Sequence, residues 1–410
     1  MRLQLIETIE HRGSIGAFYL AQRLREKGHL VDCLPQTESG YDCELISAHH
    51  VTEFSKIVSM PKKSKIRIIG GHAMYCNPRP LIPFSDFVYV GEADGADTDI
   101  DFLMDTENSI NCKLWRNGDN IPPPYVVKKL GEVPPCLNHE GTQRRAWYIE
   151  VARGCPFKCS YCELGNSVPY RQRGIDHIKK AIDQCDAGIT RKVNLFAPDE
   201  ASYKWREEAM DYISEKGFFP AGFSSMRVDT MKHNVKKLRA NTLIRVGIDG
   251  LTEETRFRVG KRITDNDIIQ HFARLIESGH VRFKMFMIFG YTWEKIEDFS
   301  KWEDVMFKIK RLPLKKNVSL RIKWTPFIPQ PSTPLSGFQN TIYNAKMVDK
   351  IMRWHLLNRK PGRNNEVGFY IENDGIMSAK SHRLQCDLTY ADETYFSSGS
   401  IKNNVRKEQT

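Results

Sequence analysis

Cys155, Cys159 and Cys162 stand within the run Ala152-Arg153-Gly154-Cys155-Pro156-Phe157-Lys158-Cys159-Ser160-Tyr161-Cys162. Thiolates at the spacing C-x3-C-x2-C can hold one small metal cluster. A 4Fe-4S cube has four irons and ordinarily takes four cysteine ligands. Three ligands leave one iron with an open position, and an open position separates a reacting metal site from a structural one. Zinc is the other chemistry that three cysteines allow. Structural zinc asks for four ligands, usually as two close pairs; here there is no second pair, and His177 would be a distant fourth ligand. The cluster is the reading adopted, with zinc and then three unrelated buried cysteines as the alternatives behind it. Gly154 and Pro156 suit a loop that wraps a cluster. Residues 147–151 read as a strand entering that loop, and residues 175–182 as a helix leaving it.

This stretch closely resembles the signature of the radical SAM enzymes. The resemblance implies that the amino and carboxylate groups of S-adenosylmethionine (SAM) chelate the open iron. One electron then passes to the sulfonium, the C–S bond breaks, and the deoxyadenosyl radical takes a hydrogen atom from the substrate. Tyr161 is at the family's aromatic position, beside the adenine. An electron donor such as flavodoxin or ferredoxin is implied as a partner.

The elements that must position these residues alternate strand and helix. Residues 147–151, 192–196, 220–224, 244–248, 284–289 and 319–324 read as strands, with helices between them at 204–216, 265–278 and 296–307. Six such units fit a partial (β/α)6 barrel of TIM type over residues 146–335, with the site at the strand C-terminal ends. Segments after the later strands resemble family positions. Asp199 and Glu200, in Ala197-Pro198-Asp199-Glu200, are candidates for the SAM ammonium; Asp199 or Ser202 also reads as an N-cap for a helix starting near Tyr203. In Ser224-Ser225-Met226-Arg227-Val228-Asp229, Ser225 and Arg227 resemble a Ser-x-Arg segment. Arg227 could grip the SAM carboxylate by two prongs or pair with Asp229. Asp249 stands where the family usually has a glutamate near the SAM ribose, with Glu253, Arg256 and Lys261 following. Gly290, in Phe289-Gly290-Tyr291-Thr292-Trp293-Glu294, resembles the family's Gly-x-Pro-x-Glu turn, which lays adenine on the backbone. The exit Thr325-Pro326-Phe327-Ile328-Pro329 resembles that of radical SAM proteins carrying an N-terminal cobalamin-type domain.

Residues 1–100 read as that domain: a doubly wound, Rossmann-like α/β fold that binds ligands outside the strand C-terminal ends. Gly70-Gly71-His72-Ala73, then Asn77-Pro78 and Asp86 to Glu92, carry the resemblance, which makes Gly70, Gly71 and His72 the candidate cobalamin contacts. The Asp-x-His-x-x-Gly motif that gives cobalt an axial histidine is absent: Ile9 stands at the aspartate position. His49 and His50, near a strand end, read as ligands or as satisfied loop histidines. Residues 101–145 form a connector rich in proline, with a hairpin near 114–120. Residues 336–410 form a small C-terminal segment, with a helix at 343–357 and a polar, irregular tail from Ser378 in which His382, Cys386 and Tyr390 are surface or packing residues or line a substrate opening.

Composition sets the bounds. Apolar residues make up 40% and charged residues 27% of 410, as in an ordinary globular chain, and no apolar run is long enough to span a membrane. Glu7 and Glu10 stand where a signal peptide needs an apolar core, so a cytoplasmic location is expected. There the ten cysteines are thiols or cluster ligands rather than disulfides. The formal charge of +11, from 61 Lys and Arg against 50 Asp and Glu, reads as a solvated basic face and keeps nucleic acid open as a partner. The expected activity is reductive SAM cleavage and hydrogen abstraction, with methyl transfer if cobalamin is bound. The alternatives are a radical isomerase, lyase or ring-forming enzyme without cobalamin, and a nucleic-acid-binding protein with a structural cluster. The substrate is not legible.

Overall fold

In the first strand, Leu3 and Leu5 point to one face and Gln4 and Ile6 to the other, and all four are buried. A strand buried on both sides belongs to a parallel sheet covered by helices on both faces. The computed structural model bears this out. It describes residues 1–7, 15–34, 36–95, 114–115, 126–137, 146–220, 226–230, 242–338, 344–359, 366–372 and 379–396. The chain divides into two compact units: residues 1–129, 136–143 and 384–410, and residues 130–135 and 144–383.

The first unit comprises β1 (Arg2–Glu7), α1 (Ile15–Glu26), β2 (Leu30–Leu34), β3 (Cys43–Ser47), α2 (Phe54–Ser59), β4 (Ile66–Gly70), α3 (Ala73–Cys76), β5 (Phe87–Tyr89) and the short β6 (Leu114–Trp115) and β7 (Cys136–Leu137). The sheet order is β2-β1-β3-β4-β5-β6. The first five strands are parallel, and β6 runs antiparallel to β5, with Val88 opposite Trp115. The order reverses between β2-β1 and β3-β4-β5, the switch point of a doubly wound sheet. Leu3, Leu5, Leu45 and Ile68 pack under Ala17, Ala21 and Leu24 of α1. Ile6, Ile46 and Ile69 pack on the other face with Phe54 and Ile57 of α2. Only Leu114 and Trp115 of the expected hairpin, and none of Pro122-Pro123-Pro124, fall within the described residues.

The second unit begins with β8 (Trp147–Glu150) and a short hairpin, β9 (Ala152–Arg153) antiparallel to β10 (Arg171–Gln172), with α4 (Glu163–Ser167) between them. There follow α5 (Ile175–Asp183), β11 (Lys192–Phe196), α6 (Arg206–Glu215), β12 (Phe219–Pro220), β13 (Met226–Arg227), β14 (Ile244–Gly247), α7 (Glu253–Arg258), α8 (Asp265–Glu277), β15 (Arg282–Phe289), α9 (Asp298–Lys310), β16 (Val318–Pro326), α10 (Ala345–Asn358) and β17 (Val367–Ile371). Strands β12-β11-β8 and β13-β14-β15-β16-β17 form two all-parallel runs, as strand–helix alternation requires. Trp302 of α9, Trp324 of β16 and Trp354 of α10 meet edge to face, with ring centroids 4.9 and 4.6 Å apart.

Three local expectations are corrected. The helix expected near Tyr203 starts at Arg206 behind a single 3-10 turn, Glu200–Ser202, so neither Asp199 nor Ser202 caps it. Val367 to Ile371, in a C-terminal segment where no strand was expected, is a fifth strand beside β16. The tail from Ser378 includes α11 (Ala379–Tyr390), whose Leu388 is fully buried in the first unit's core.

Candidate active site

The cysteine loop is held at both ends by charge. Glu150, at the end of β8, accepts from Arg153 (2.9 and 2.7 Å) and from the fully buried Arg173. Burial pushes the Glu150 carboxyl up, but the two guanidinium groups hold it below the usual carboxylate range. Arg173 also donates to the Gly131 carbonyl. Sequence reading missed all three residues, because their partners are brought together only by the fold.

Between these anchors the loop turns tightly. Gly154 has φ +73°, and a Cβ there would lie 2.3 Å from the Pro169 carbonyl oxygen, so only glycine fits. Asn166 of α4 donates to the carbonyls of Cys159 (3.0 Å) and Cys162 (2.7 Å). Ser160 donates its N–H to Val259 (3.0 Å), and its carbonyl accepts from Leu335 (3.3 Å). Cys159 is buried; Cys155 and Cys162 are partly exposed. Burial pushes the Cys155 thiol up to about 11 and raises Cys162 as well, so metal must displace a proton from each.

Among the described residues no three His, Cys, Asp or Glu side chains converge as a single ion requires. A four-iron cube takes each thiolate on a different iron and does not need convergence on a point. Three thiols on one tight loop, with no carboxylate among them, fit it as a donor set.

Of the remaining candidates, Arg227 and Asp249 contact this loop directly. Arg227 places Nε and Nη2 on the Asp229 carboxylate (2.9 and 2.7 Å), its ring-facing side over Phe157 (4.0 Å), and Nη1 at 3.3 Å from Cys159 Sγ. Asp199 is buried, accepting from the Arg227 N–H (2.9 Å) and Thr230 Oγ1 (3.1 Å) through Oδ1 and from Ser202 through Oδ2. Glu200 is buried against Arg206 (3.3 Å). Ser225 lies outside the described residues.

Asp249 has φ +55°, uncommon for a side-chain-bearing residue. Its Oδ2 accepts from Tyr161 (2.8 Å) and from the buried Lys261 (2.6 Å). Burial raises the Tyr161 phenol well above its ordinary range, so it stays a donor. Gly290 has φ +82° and open space where a Cβ would stand. Its N–H donates to Glu294 (2.7 Å), which also accepts from the N–H groups of Tyr291 (3.3 Å) and Leu251 (3.1 Å). Burial lifts the Glu294 carboxyl to about 7 against the pull of these three donors.

In the first unit, Gly70 ends β4 and Gly71 follows it. A Cβ on Gly71 (φ +104°) would stand 2.3 Å from the Ala48 carbonyl oxygen, so the chain's own backbone already requires this glycine. His72 is exposed beside Tyr75, with ring centroids 5.9 Å apart. His50 lies within hydrogen-bond reach of Thr52 (3.0 Å) and Gln385 (2.7 Å), and the His49 N–H donates to Glu53 (3.0 Å).

Residues 149–302 match the profile of the Radical SAM superfamily. An uncharacterized protein of Methanocaldococcus jannaschii is 24% identical over 295 residues, which is 70% of this chain and 65%, just under two thirds, of that relative's length. The solved radical S-adenosylmethionine methyltransferase TsrM of Kitasatospora setae, with cobalamin and a 4Fe-4S cluster bound, is similar at TM-score 0.60 and 13% identity, covering 85% of this chain and 78% of that one. The cobalamin-dependent S-adenosylmethionine radical enzyme OxsB, with aqua-cobalamin and SAM bound, is similar at TM-score 0.54 and 11% identity, covering 99% and 68%. At these identities the likeness is one of fold.

Proposed function

We propose that this chain, whose residues 149–302 match the Radical SAM superfamily, is a radical SAM methyltransferase that takes cobalamin in its first unit. The observation that carries this reading is the likeness in fold to TsrM over 85% of the chain.

In this reading Cys155, Cys159 and Cys162 hold the 4Fe-4S cluster. The cluster and SAM together supply a one-electron cleavage of the SAM C–S bond and a carbon radical able to take a hydrogen atom. The chain's own residues do the rest. Arg227, its fork filled by Asp229, sets a positive charge beside the Cys159 sulfur. Asp199 ties the cysteine side of the sheet to β13 through the Arg227 N–H, so it shapes the SAM pocket through backbone. Tyr161 and Lys261 hold the Asp249 carboxylate in one orientation toward the ribose. Gly290, bare on its open side and pinned from behind by Glu294, offers a flat backbone for adenine. Tyr291, Trp293 and Phe327 pack ring on ring and would help keep water out of the site with the cofactors bound.

The test is anaerobic cluster reconstitution, then SAM and a chemical reductant, on protein grown with cobalamin. Deoxyadenosine should form in the wild type and be lost in Cys159→Ala. Cobalt should co-purify, and the methyl of labelled SAM should leave methionine. Deoxyadenosine without cobalt, and with the methyl retained, would replace methyl transfer by the isomerase, lyase or ring-forming reading. A loaded cluster whose spin-resonance signal ignores SAM would overturn the radical reading itself.

A further inference from the structure

Any cluster on the cysteine loop must receive an electron from outside, yet Cys159 is buried, 6% exposed. One exposed turn brings its backbone close to it. The turn after α7, Val259-Gly260-Lys261, lies directly on the loop: Val259 accepts the Ser160 N–H. A Cβ on Gly260 would stand 3.6 Å from the Lys158 carbonyl oxygen and 3.9 Å from the Cys159 Cα. Gly260 is itself exposed, so no side chain separates solvent from the Cys159 backbone there.

This opening has a distinctive rim. Lys158, Arg258 and Arg262 are all exposed. None of the three takes part in an ion pair among the described residues; Arg258 lies over the Trp293 ring at 4.3 Å. Phe257, 46% exposed, and Phe338, 36% exposed and 6.1 Å from Trp293, add apolar surface beside them. The acids of the same helix lie at its other end, where Glu253 accepts the Asp265 N–H and Glu254 is exposed. Asp265 is occupied by Arg256, and Asp267 by Thr264. The face is therefore cationic around an aromatic centre, the pattern that receives an acidic protein.

We propose that the surface formed by Lys158, Phe257, Arg258, Gly260 and Arg262 is the docking face for an acidic one-electron carrier protein. The inference rests on the cluster reading above and names the partner of that site. In the transfer, one electron leaves the carrier's reduced flavin, the hydroquinone becoming the semiquinone, and is taken up at the cluster. No bond between the proteins forms or breaks. Steering by unpaired surface charge acts chiefly on encounter rate and is screened by salt.

The probe is reduced flavodoxin, used with the full reconstituted chain. Three readouts apply: the rate of cluster bleaching, the salt dependence of binding to oxidised flavodoxin, and carbodiimide cross-links mapped by mass spectrometry. Bleaching and binding in the wild type should weaken as salt rises, and Lys158 should cross-link to a flavodoxin carboxylate. The charge reversal Arg258→Glu/Arg262→Glu should slow bleaching by flavodoxin by roughly tenfold or more at low salt. Bleaching by dithionite, a small reductant that needs no docking face, should be unchanged. Equal flavodoxin rates in wild type and reversal variant would overturn the docking face. So would an oligonucleotide that binds more tightly than flavodoxin and loses that binding on reversal, since the face would then belong to nucleic acid. A wild-type chain whose reconstituted iron is bleached by neither reductant would overturn the cluster reading, and the inference with it.

Discussion

Arg227 is a cation whose strongest bonds are already made. Its two parallel contacts to Asp229 leave Nη1 facing the Cys159 sulfur at 3.3 Å. The sequence offered Arg227 two roles, grip on a carboxylate ligand or pairing with Asp229; the second is the one seen, and the contact to sulfur was not legible. The two residues are 68 positions apart, and no local pattern marks such a contact. A positive charge and an N–H donor beside a ligand sulfur favour the more reduced, more negative state of the cluster. Arg227→Gln keeps a polar side chain but loses the charge. It should shift the cluster's reduction potential negative by about 60 mV, tenfold for one electron, while Arg227→Lys should restore most of the shift. The measurement is a redox titration followed by spin resonance. A potential unmoved in Arg227→Gln would make the sulfur contact incidental. The three cysteines proposed as ligands stand out in the sequence because they sit on one loop, within eight residues. Asp249, Tyr161 and Lys261 were each singled out, but their meeting at a single carboxylate oxygen was not, since Tyr161 comes from a different strand end.

At the scale of elements, the strand–helix alternation was readable wherever a strand carries a run of apolar residues. β15 and β16, eight and nine residues long, were found to within two residues at either end. β17 was missed although Val367, Phe369 and Ile371 are apolar, because a five-residue run with a glycine inside it carries little periodic signal; only pairing with β16 fixes it as a strand. The turn after β15 shows what pairing adds to a motif. Its Gly-x-x-x-Glu pattern was legible, whereas the carboxylate's grip on three backbone N–H groups was not. That grip has a pH signature. The Glu294 carboxyl is lifted by burial from 4.5 to about 7. Between those values the folded chain keeps a proton that the unfolded chain has lost, so this group's contribution to stability falls as pH rises. It is complete below 4.5 and gone above 7. Glu163, also lifted by burial to about 7, acts in the same direction. The buried His271 and His355, held down to about 4, act in the opposite direction, so the signature is a difference: from pH 4.5 to 7.5 the denaturant midpoint of the wild type should fall relative to that of Glu294→Gln. Gln keeps one acceptor and turns an amide toward the other N–H groups, so the variant should also be less stable at every pH, by about 1–3 kcal/mol. An unchanged slope would mean that Glu294 titrates as an ordinary carboxylate.

The whole molecule is two cores threaded by one chain, and the chain returns to the first core at its end. The sequence divided the chain into consecutive stretches, and nothing in the local pattern of residues 379–396 says which core they join. In the structure, Leu388 is fully buried among Ile46, Phe54 and Leu81. The buried Asn77 side chain donates to the carbonyls of Leu388 (3.2 Å) and Ala391 (2.7 Å). The returning helix is thus held by an apolar plug and a polar clamp, and removing either acts on the first unit. Leu388→Ala should cost about 2–5 kcal/mol through lost burial and the cavity left behind. Asn77→Ala should cost about 1–3 kcal/mol by stranding two buried carbonyls. Because the two sites share one element, the double variant should cost less than the sum. Two units need not unfold together, so the useful measurement is calorimetry paired with the iron content of the reconstituted chain. Both variants should lower the midpoint of one transition and leave iron loading unchanged, since every contact that anchors the cysteine loop lies within residues 130–135 and 144–383. The exposed replacement Leu357→Ser is the control and should move neither. If iron were lost in step with the first unit's stability, the cysteine loop would depend on contacts beyond its own unit, and its anchoring by Glu150, Arg173 and Asn166 would be insufficient.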